Sequence, residues 1–226
     1  MNNFKLKDKS HFLSSKIIFL VLGLTKSGGD RMISAASNYY AKNGGEVEIM
    51  MTKKSIPYYH LDDKVKLSLV KKRFNIFFTI LLSPFSIKEK NYTLICSYYL
   101  TFYIAIIHKI FQFIGLKKRV KIFYFIQAPE HLHVYSKYKF LNLFKKYLAS
   151  FAYIYPLDHI YASHYLEKSI SDIKFSCLRK SLKKKIVIPY GIDLDKFAPK
   201  NIKKENQLRN LMVIRGKTWR KGFDIF

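Results

Sequence analysis

Short apolar runs alternate with helix-like stretches along most of this chain, and that alternation limits what it can fold into. Several runs are apolar at nearly every position, which is typical of strands buried on both faces. Strands of this kind, each followed by a helix, form a parallel sheet covered on both sides, so the sequence predicts an α/β fold. The predicted strands are 16–24 (KIIFLVLGL), 46–51 (EVEIMM), 65–70 (VKLSLV), 92–97 (YTLICS), 120–127 (VKIFYFIQ), 159–163 (HIYAS) and 185–191 (KIVIPYG).

The strand pattern breaks once and then restarts close to the last residue. Residues 199–210, PKNIKKENQLRN, are polar and read as a linker, and LMVI at 211–214 resembles a new strand. We therefore predict a first domain over 1–198 and the beginning of a second domain over 211–226. One strand and half a helix have nothing to cover their apolar face, so the sequence predicts a truncated second domain.

The chain is strongly basic, with 41 Lys and Arg against 15 Asp and Glu and a formal net charge of +26. Such an excess favours an anionic partner. Lysines interleaved with Phe and Tyr around 137–156 suit peripheral contact with an anionic membrane surface. No recognised nucleic-acid module is present, so we do not expect nucleic-acid binding.

The cysteines and histidines do not predict a metal site. Cys96 and Cys177 lie far apart and form no Cys-x-x-Cys motif, which favours a reduced, cytoplasmic protein. His131 and His133 have no evident third ligand.

Two apolar segments raise the alternative of membrane insertion, 76–85 (IFFTILLSPF) and 93–107 (TLICSYYLTFYIAII). Both are shorter than the ~20 residues that a transmembrane helix needs. We interpret the second as a short strand followed by a buried helix. A membrane-inserted protein that uses residues 76–114 remains the alternative.

Gly28 and Gly29 follow the first predicted strand and precede a predicted helix over 30–42. A phosphate-binding P-loop would have Lys and then Ser or Thr after Gly28, whereas this chain has Gly29 and Asp30 there. The dinucleotide-binding motif Gly-x-Gly-x-x-Gly is also missing. With Asp30 as the expected N-cap, the helix amides suit a phosphate or a sugar hydroxyl. A tight turn without a ligand explains the same residues equally well.

Four segments, in this order, resemble family 4 glycosyltransferases of the GT-B fold. They are SGGDRMISAASNYYAKNGGEVEIMT from Ser27, DHIYASHYLEKSI (158–170), IPYGIDLDKFAP (188–199) and RKGFDIF (220–226). The third is the most specific. The resemblance implies two Rossmann-like domains that face each other across a nucleotide-sugar, with the acceptor held by the first domain.

The resemblance also implies which residues contact the donor. Gly28 and Gly29 would approach the donor phosphates, and Lys221 with Arg215 would neutralise the diphosphate. The family reads Gly-Arg where this chain reads Arg215-Gly216, so Lys217 or Arg220 are alternatives for the arginine.

The loop after the fifth predicted strand is a candidate for the acceptor side. Gln127 and Glu130 lie beyond the carboxyl end of that strand, where open parallel sheets bind ligands, and similar stretches occur in some family members. An ordinary polar loop is the alternative.

The implied activity is retaining, nucleotide-sugar-dependent glycosyl transfer in bacterial-type cell-envelope or capsule polysaccharide synthesis. It uses a glycan or lipid-linked acceptor at the inner face of the membrane and no metal or other cofactor. No catalytic residue is identified, and the family's two glutamates seven residues apart are not found here, so we expect this chain alone to be inactive or incomplete. The rival interpretation is a non-catalytic, membrane-adhering or partner-binding α/β module left by truncation.

Overall fold

A computed structural model describes residues 15–51, 55–69, 91–116, 119–130, 139–171 and 184–191. These residues form seven strands and four helices. The strands are β1 Lys16–Val21, β2 Val47–Met51, β3 Lys66–Leu69, β4 Asn91–Cys96, β5 Arg119–Ile126, β6 Asp158–Tyr161 and β7 Lys185–Val187. The helices are α1 Gly28–Lys42, α2 Tyr99–Phe113, α3 Lys139–Ile154 and α4 His164–Ser171.

All seven strands lie in one parallel sheet of order β3-β2-β1-β4-β5-β6-β7. Every predicted apolar run contributes a strand to it, so the predicted α/β fold with a Rossmann-like sheet is confirmed. The fit follows from burial: β2, Val47–Met51, is buried at all five positions, whereas the edge strand β3 is largely exposed. A strand covered on both faces is apolar at most consecutive positions, and the exception in β2, Glu48, is buried with a charged partner.

Helices cover both faces of this sheet. From β1 the chain moves through α1 to β2, and from β4 it moves in the opposite direction through α2 to β5. Right-handed crossovers in opposite directions place their helices on opposite faces. Neighbouring residues of β5 show the result: Phe123 faces the side of α1, and the ring of Tyr124 packs against Phe102 of α2.

Strand β1 and strand β2 are also joined by a buried ion pair. The ammonium of Lys16 lies 2.7 Å from a carboxylate oxygen of Glu48, and both side chains are almost fully buried. The same ammonium lies 3.5 Å from the carboxylate of Glu46, which is exposed. Burying Lys16 is therefore compensated by a close and equally buried partner.

The segment 93–107 has the structure that its pattern favoured. It forms most of the central strand β4 and the first part of α2, a helix of 15 residues. Within the described part of the chain, none of the helices combines the length and the apolar character needed to span a membrane. Residues 76–85, the predicted linker 199–210 and the predicted second domain from 211 lie outside the described residues.

Candidate functional site

The sheet changes direction between β1 and β4, which are neighbours in space although β2 and β3 separate them in sequence. At such a point the connections from the two carboxyl ends leave toward opposite faces and open a crevice, where open α/β sheets bind ligands. The residues that follow β1, β4 and β5 border this crevice. The candidate site is therefore built from the loop 22–30, from Ser97 and Tyr98, and from 127–130.

The loop after β1 is closed by hydrogen bonds to one carboxylate. Asp30 Oδ2 accepts from Thr25 N at 2.9 Å, from the Thr25 hydroxyl at 2.7 Å and from the Ser27 hydroxyl at 2.7 Å. The carboxylate also lies in the first turn of α1, where a negative charge stabilises the helix dipole. Asp30 thus sets the shape of the loop that presents the two glycines.

The expected N-cap, Asp30, is wrong by three residues. Helix α1 begins at Gly28, and Ser27 is its N-cap, with the Ser27 hydroxyl accepting from Asp30 N at 3.1 Å. Ser and Asp are both favoured as N-caps. Here the Asp30 carboxylate accepts hydrogen bonds from Thr25 and Ser27, so Asp30 lies in the first turn and Ser27 is the cap. The amides of Asp30 and Arg31 are bonded to Ser27, which leaves those of Gly28 and Gly29 for a ligand.

Gly29 and Gln127, which we predicted on donor and acceptor sides, lie in contact. Gln127 Nε2 donates to the carbonyl of Gly29 at 3.4 Å, and a Cβ added to Gly29 would lie only 1.7 Å from Gln127 Oε1. The absence of a side chain at Gly29 thus makes room for this close approach. The added Cβ of Gly28, in contrast, would meet nothing within 4 Å.

Glu130 is buried behind the crevice and does not extend into solvent. Its Oε2 accepts from Tyr99 N at 2.6 Å, in the first turn of α2, and from the Tyr124 hydroxyl at 3.1 Å. Its own amide donates to the Tyr153 hydroxyl at 2.7 Å. One residue thereby joins β5, α2 and α3, and its predicted role toward an acceptor stays a prediction.

The environment of Glu130 favours the protonated acid. Burial raises the pKa of its carboxyl to about 8, although the hydrogen bonds from Tyr99 N and the Tyr124 hydroxyl act in the opposite direction. Because Oε2 accepts both hydrogen bonds, Oε1 is the oxygen that would carry the proton of the acid. Burial, followed by the nearby Glu130, also raises the pKa of the Cys96 thiol, so this cysteine is not an activated nucleophile.

Tyr190 is a member of the site that sequence reasoning did not identify. It follows β7, and its pKa is raised first by burial and then by the carboxylate of Asp30. Asp30 at the start of α1 and Tyr190 after β7 therefore lie near each other. The signal was available in the sequence, because Tyr190 comes two residues after an apolar run at the carboxyl edge of the sheet.

Two cavities among the described residues lie away from this crevice. One of about 650 Å³ runs along the sheet face beside α1, between Met32 and Phe123. The other, of about 610 Å³, lies at the amino edge of the sheet near Lys109 and Asp158. The candidate site is thus an open rim of loops, and the predicted donor residues Arg215 and Lys221 lie outside the described residues.

The described side chains contain no cluster of three or more His, Cys, Asp or Glu that could hold a metal ion. His131 and His133 lie outside the described residues. Neither a family model nor a curated protein matches the sequence.

Proposed function

We propose that this chain is the acceptor-binding lobe of a retaining, nucleotide-sugar-dependent glycosyltransferase of family 4, with the GT-B fold. The contact between Gly29 and Gln127 carries the proposal. It brings the backbone of a helix N-terminus close to a polar side chain, at the sheet edge where α/β proteins bind ligands. The four segments that resemble the family supply the reaction class.

The glycine turn supports a role in binding the donor diphosphate. The amides of Gly28 and Gly29 point to the N-terminal end of α1, where the helix dipole favours an anion. The nearby carboxylate of Asp30 would repel a phosphate, but three hydrogen bonds from Thr25 and Ser27 partly neutralise its negative charge. The diphosphate would therefore approach from the exposed Gly28 side of the turn.

The proposed chemistry breaks the bond between the anomeric carbon and the diphosphate and forms a glycosidic bond to the acceptor oxygen, whose proton passes to the leaving diphosphate. The leaving nucleoside diphosphate gains negative charge, so fixed cations lower the barrier. Lys221 and Arg215 are the proposed cations, and Gln127 and Glu130 are the proposed acceptor-side residues. We assign no catalytic base.

The proposed setting is bacterial-type cell-envelope or capsule polysaccharide synthesis, in the cytoplasm at the inner face of the membrane. The rival proposal is a non-catalytic module that adheres to membranes or binds a partner. One observation favours the rival's membrane contact, namely the exposed apolar side chains on α2 and α3. The two proposals differ in whether the crevice binds a nucleotide-sugar.

Saturation-transfer NMR tests the proposal, because it detects weak binding by a single lobe. The probes are UDP- and GDP-sugars, with UDP and GDP as competitors. We expect saturation of the sugar nucleotide with the native chain and its loss in Gly28→Val, since the added side chain would occupy the open side of the turn. Ala35→Val, at an exposed position of the same helix, is the matched control and should bind normally.

Two results would contradict the proposal. One is the absence of saturation of any nucleotide-sugar by the folded native chain. The other is unchanged binding in Gly28→Val, which would place the ligand elsewhere. A parallel assay of nucleotide-sugar hydrolysis would show whether the chain alone turns over a donor.

A further inference from the structure

Helix α3 exposes apolar side chains where a surface helix is normally polar. Leu143, Phe144, Tyr147 and Phe151 each leave about half of their surface exposed. Their spacing places them on one side of the helix, and Ala149 and the other buried residues of α3 lie on the opposite side. The helix is therefore apolar on both its inward and its outward faces, whereas an ordinary surface helix is polar outside.

The end of α2 presents a second set of exposed apolar residues. Phe113 is 94% exposed, and Ile110, Ile114 and Leu116 are each more than half exposed. Gly115, at φ +81°, ends the helix, and Leu116 N donates to the carbonyl of Phe111 at 3.0 Å. Glycine adopts this left-handed conformation without strain, so the apolar tip has a defined shape.

The two sets belong to neighbouring helices, because α2 and α3 pack side by side. The Tyr103 hydroxyl of α2 donates to the carbonyl of Leu148 in α3 at 3.0 Å. Near the ends of the same helices, the ammonium of Lys109 lies 5.7 Å from the ring centroid of Tyr155. We call the exposed apolar residues of α2 and α3 together the α2–α3 surface.

Charge identifies the partner that this surface suits. From 91 to 157 the sequence has nine Lys and Arg and a single acidic residue, Glu130, which is buried. Lysines adjoin both sets: Lys109 and Phe113 line one cavity, and the exposed Lys146 lies one helical turn from Leu143. Apolar side chains bordered by cations match the acyl chains and phosphates of an anionic bilayer.

We propose that the α2–α3 surface docks on an anionic phospholipid bilayer. Phe113 and the apolar stripe of α3 enter the boundary between headgroups and acyl chains, and the neighbouring lysines contact lipid phosphates. The crevice is bordered by different loops, so docking does not depend on the proposed glycosyl transfer. A nucleic acid would neutralise the lysines but leave the apolar side chains in water.

Vesicle co-sedimentation of the full chain tests this proposal. We expect binding to vesicles of equal phosphatidylcholine and phosphatidylglycerol, weaker binding at high salt and little binding to phosphatidylcholine alone. The double variant Phe113→Gln/Tyr147→Gln should lose at least about tenfold in affinity, because it removes two exposed rings that the bilayer would bury. Ile56→Gln/Tyr165→Gln removes equally exposed side chains elsewhere and should change affinity less than about twofold.

A charge variant separates the two contributions. Lys109→Gln/Lys146→Gln should weaken binding to anionic vesicles by roughly thirtyfold, since each cation near such a surface contributes about 1 kcal/mol. Lys42→Gln/Lys64→Gln, at exposed positions away from the α2–α3 surface, is the control and should have a smaller effect.

A fluorescence measurement shows which residue enters the lipid. Trp219 is the single tryptophan of the chain. In a Trp219→Phe/Phe113→Trp variant, the emission should shift to the blue with anionic vesicles and be quenched by brominated acyl chains. Circular dichroism checks that each variant is folded, which the exposure of the altered positions favours.

The proposal is overturned if the Phe113/Tyr147 variant binds vesicles as the control variant does. It is also overturned if the affinity for anionic vesicles equals that for phosphatidylcholine vesicles. It is also overturned if sedimentation velocity shows a dimer of the free protein that this variant abolishes. In that case the surface is an interface between two copies of the chain. Failure of nucleotide-sugar binding would leave the docking proposal unaffected, so the two tests are distinguishable.

Discussion

Gly29 and Gln127 are 98 residues apart in sequence, and Gln127 Nε2 donates to the Gly29 carbonyl at 3.4 Å. The contact depends on the missing side chain of Gly29, because a Cβ there would overlap the amide of Gln127. It links the loop after β1 to the loop after β5. Two segments that we predicted to serve different ligands thus form one rim.

Gly29→Ala should cost about 1 kcal/mol or less, because the flexible end of the Gln127 side chain can move away from the methyl group and loses only its hydrogen bond to Gly29. Gly28→Ala should be neutral or slightly stabilising, since the space around it is open. Urea unfolding of both variants measures the difference. In a Gln127→Ala background the cost of Gly29→Ala should largely disappear, and a persistent cost would contradict the steric explanation.

Glu130 should make stability depend on pH. Its pKa is about 8 in the folded chain and 4.5 without burial, so the folded state retains a proton that the unfolded state loses. This contribution is fully present below pH 4.5 and is lost as the pH rises toward 8, by an amount on the order of 4 kcal/mol. Urea unfolding of the native chain and of Glu130→Gln at several pH values checks it.

His159 also makes stability depend on pH, in the opposite direction to Glu130. Burial, followed by Lys185, lowers the pKa of His159 to about 4, so its contribution is present above its ordinary pKa of 6.5 and is lost as the pH falls. The comparison with Glu130→Gln removes this opposite effect, because both proteins retain His159. A native chain and a variant with parallel pH profiles from 4.5 to 8 would show that Glu130 does not retain the proton.

Glu48→Gln should destabilise the chain by about 3–5 kcal/mol, because it leaves the buried ammonium of Lys16 without its closest carboxylate. Glu46→Gln is the matched control. Its exposed carboxylate contacts the same ammonium at 3.5 Å, so its loss should cost less than about 1 kcal/mol. Chemical denaturation of the two variants compares them, and equal losses would show that burial does not decide the strength of this pair.

Ser27→Ala should cost about 1 kcal/mol, because the first turn of α1 loses its N-cap hydrogen bond. Ser27→Thr retains an oxygen at the same position and should lose less. Thermal unfolding compares the two variants. If Ser27→Ala is as stable as the native chain, the turn is held by Asp30 and Thr25 without the help of the cap.

Much of the fold was predictable because the relevant signal is local. A run such as 17–21 is apolar at successive positions because both faces of its strand are buried, and each of the seven runs became a strand. The N-cap was less predictable, because Ser27 and Asp30 are both suitable caps. Competing hydrogen bonds from Thr25 decided between them.

By itself, then, the sequence determined the strands, their parallel class and the position of the glycine turn, because periodicity and backbone freedom belong to short segments. Only the tertiary structure decided that Gln127 packs on Gly29, that Glu130 is buried at the start of α2, and that Tyr190 lies near Asp30. The apolar residues of α3 show the same limit. Their pattern predicted a helix, but only the packing of α3 on α2 and the sheet determined which of them face outward. Contacts between distant segments and the burial of single side chains depend on how the layers pack, and no local pattern contains that information.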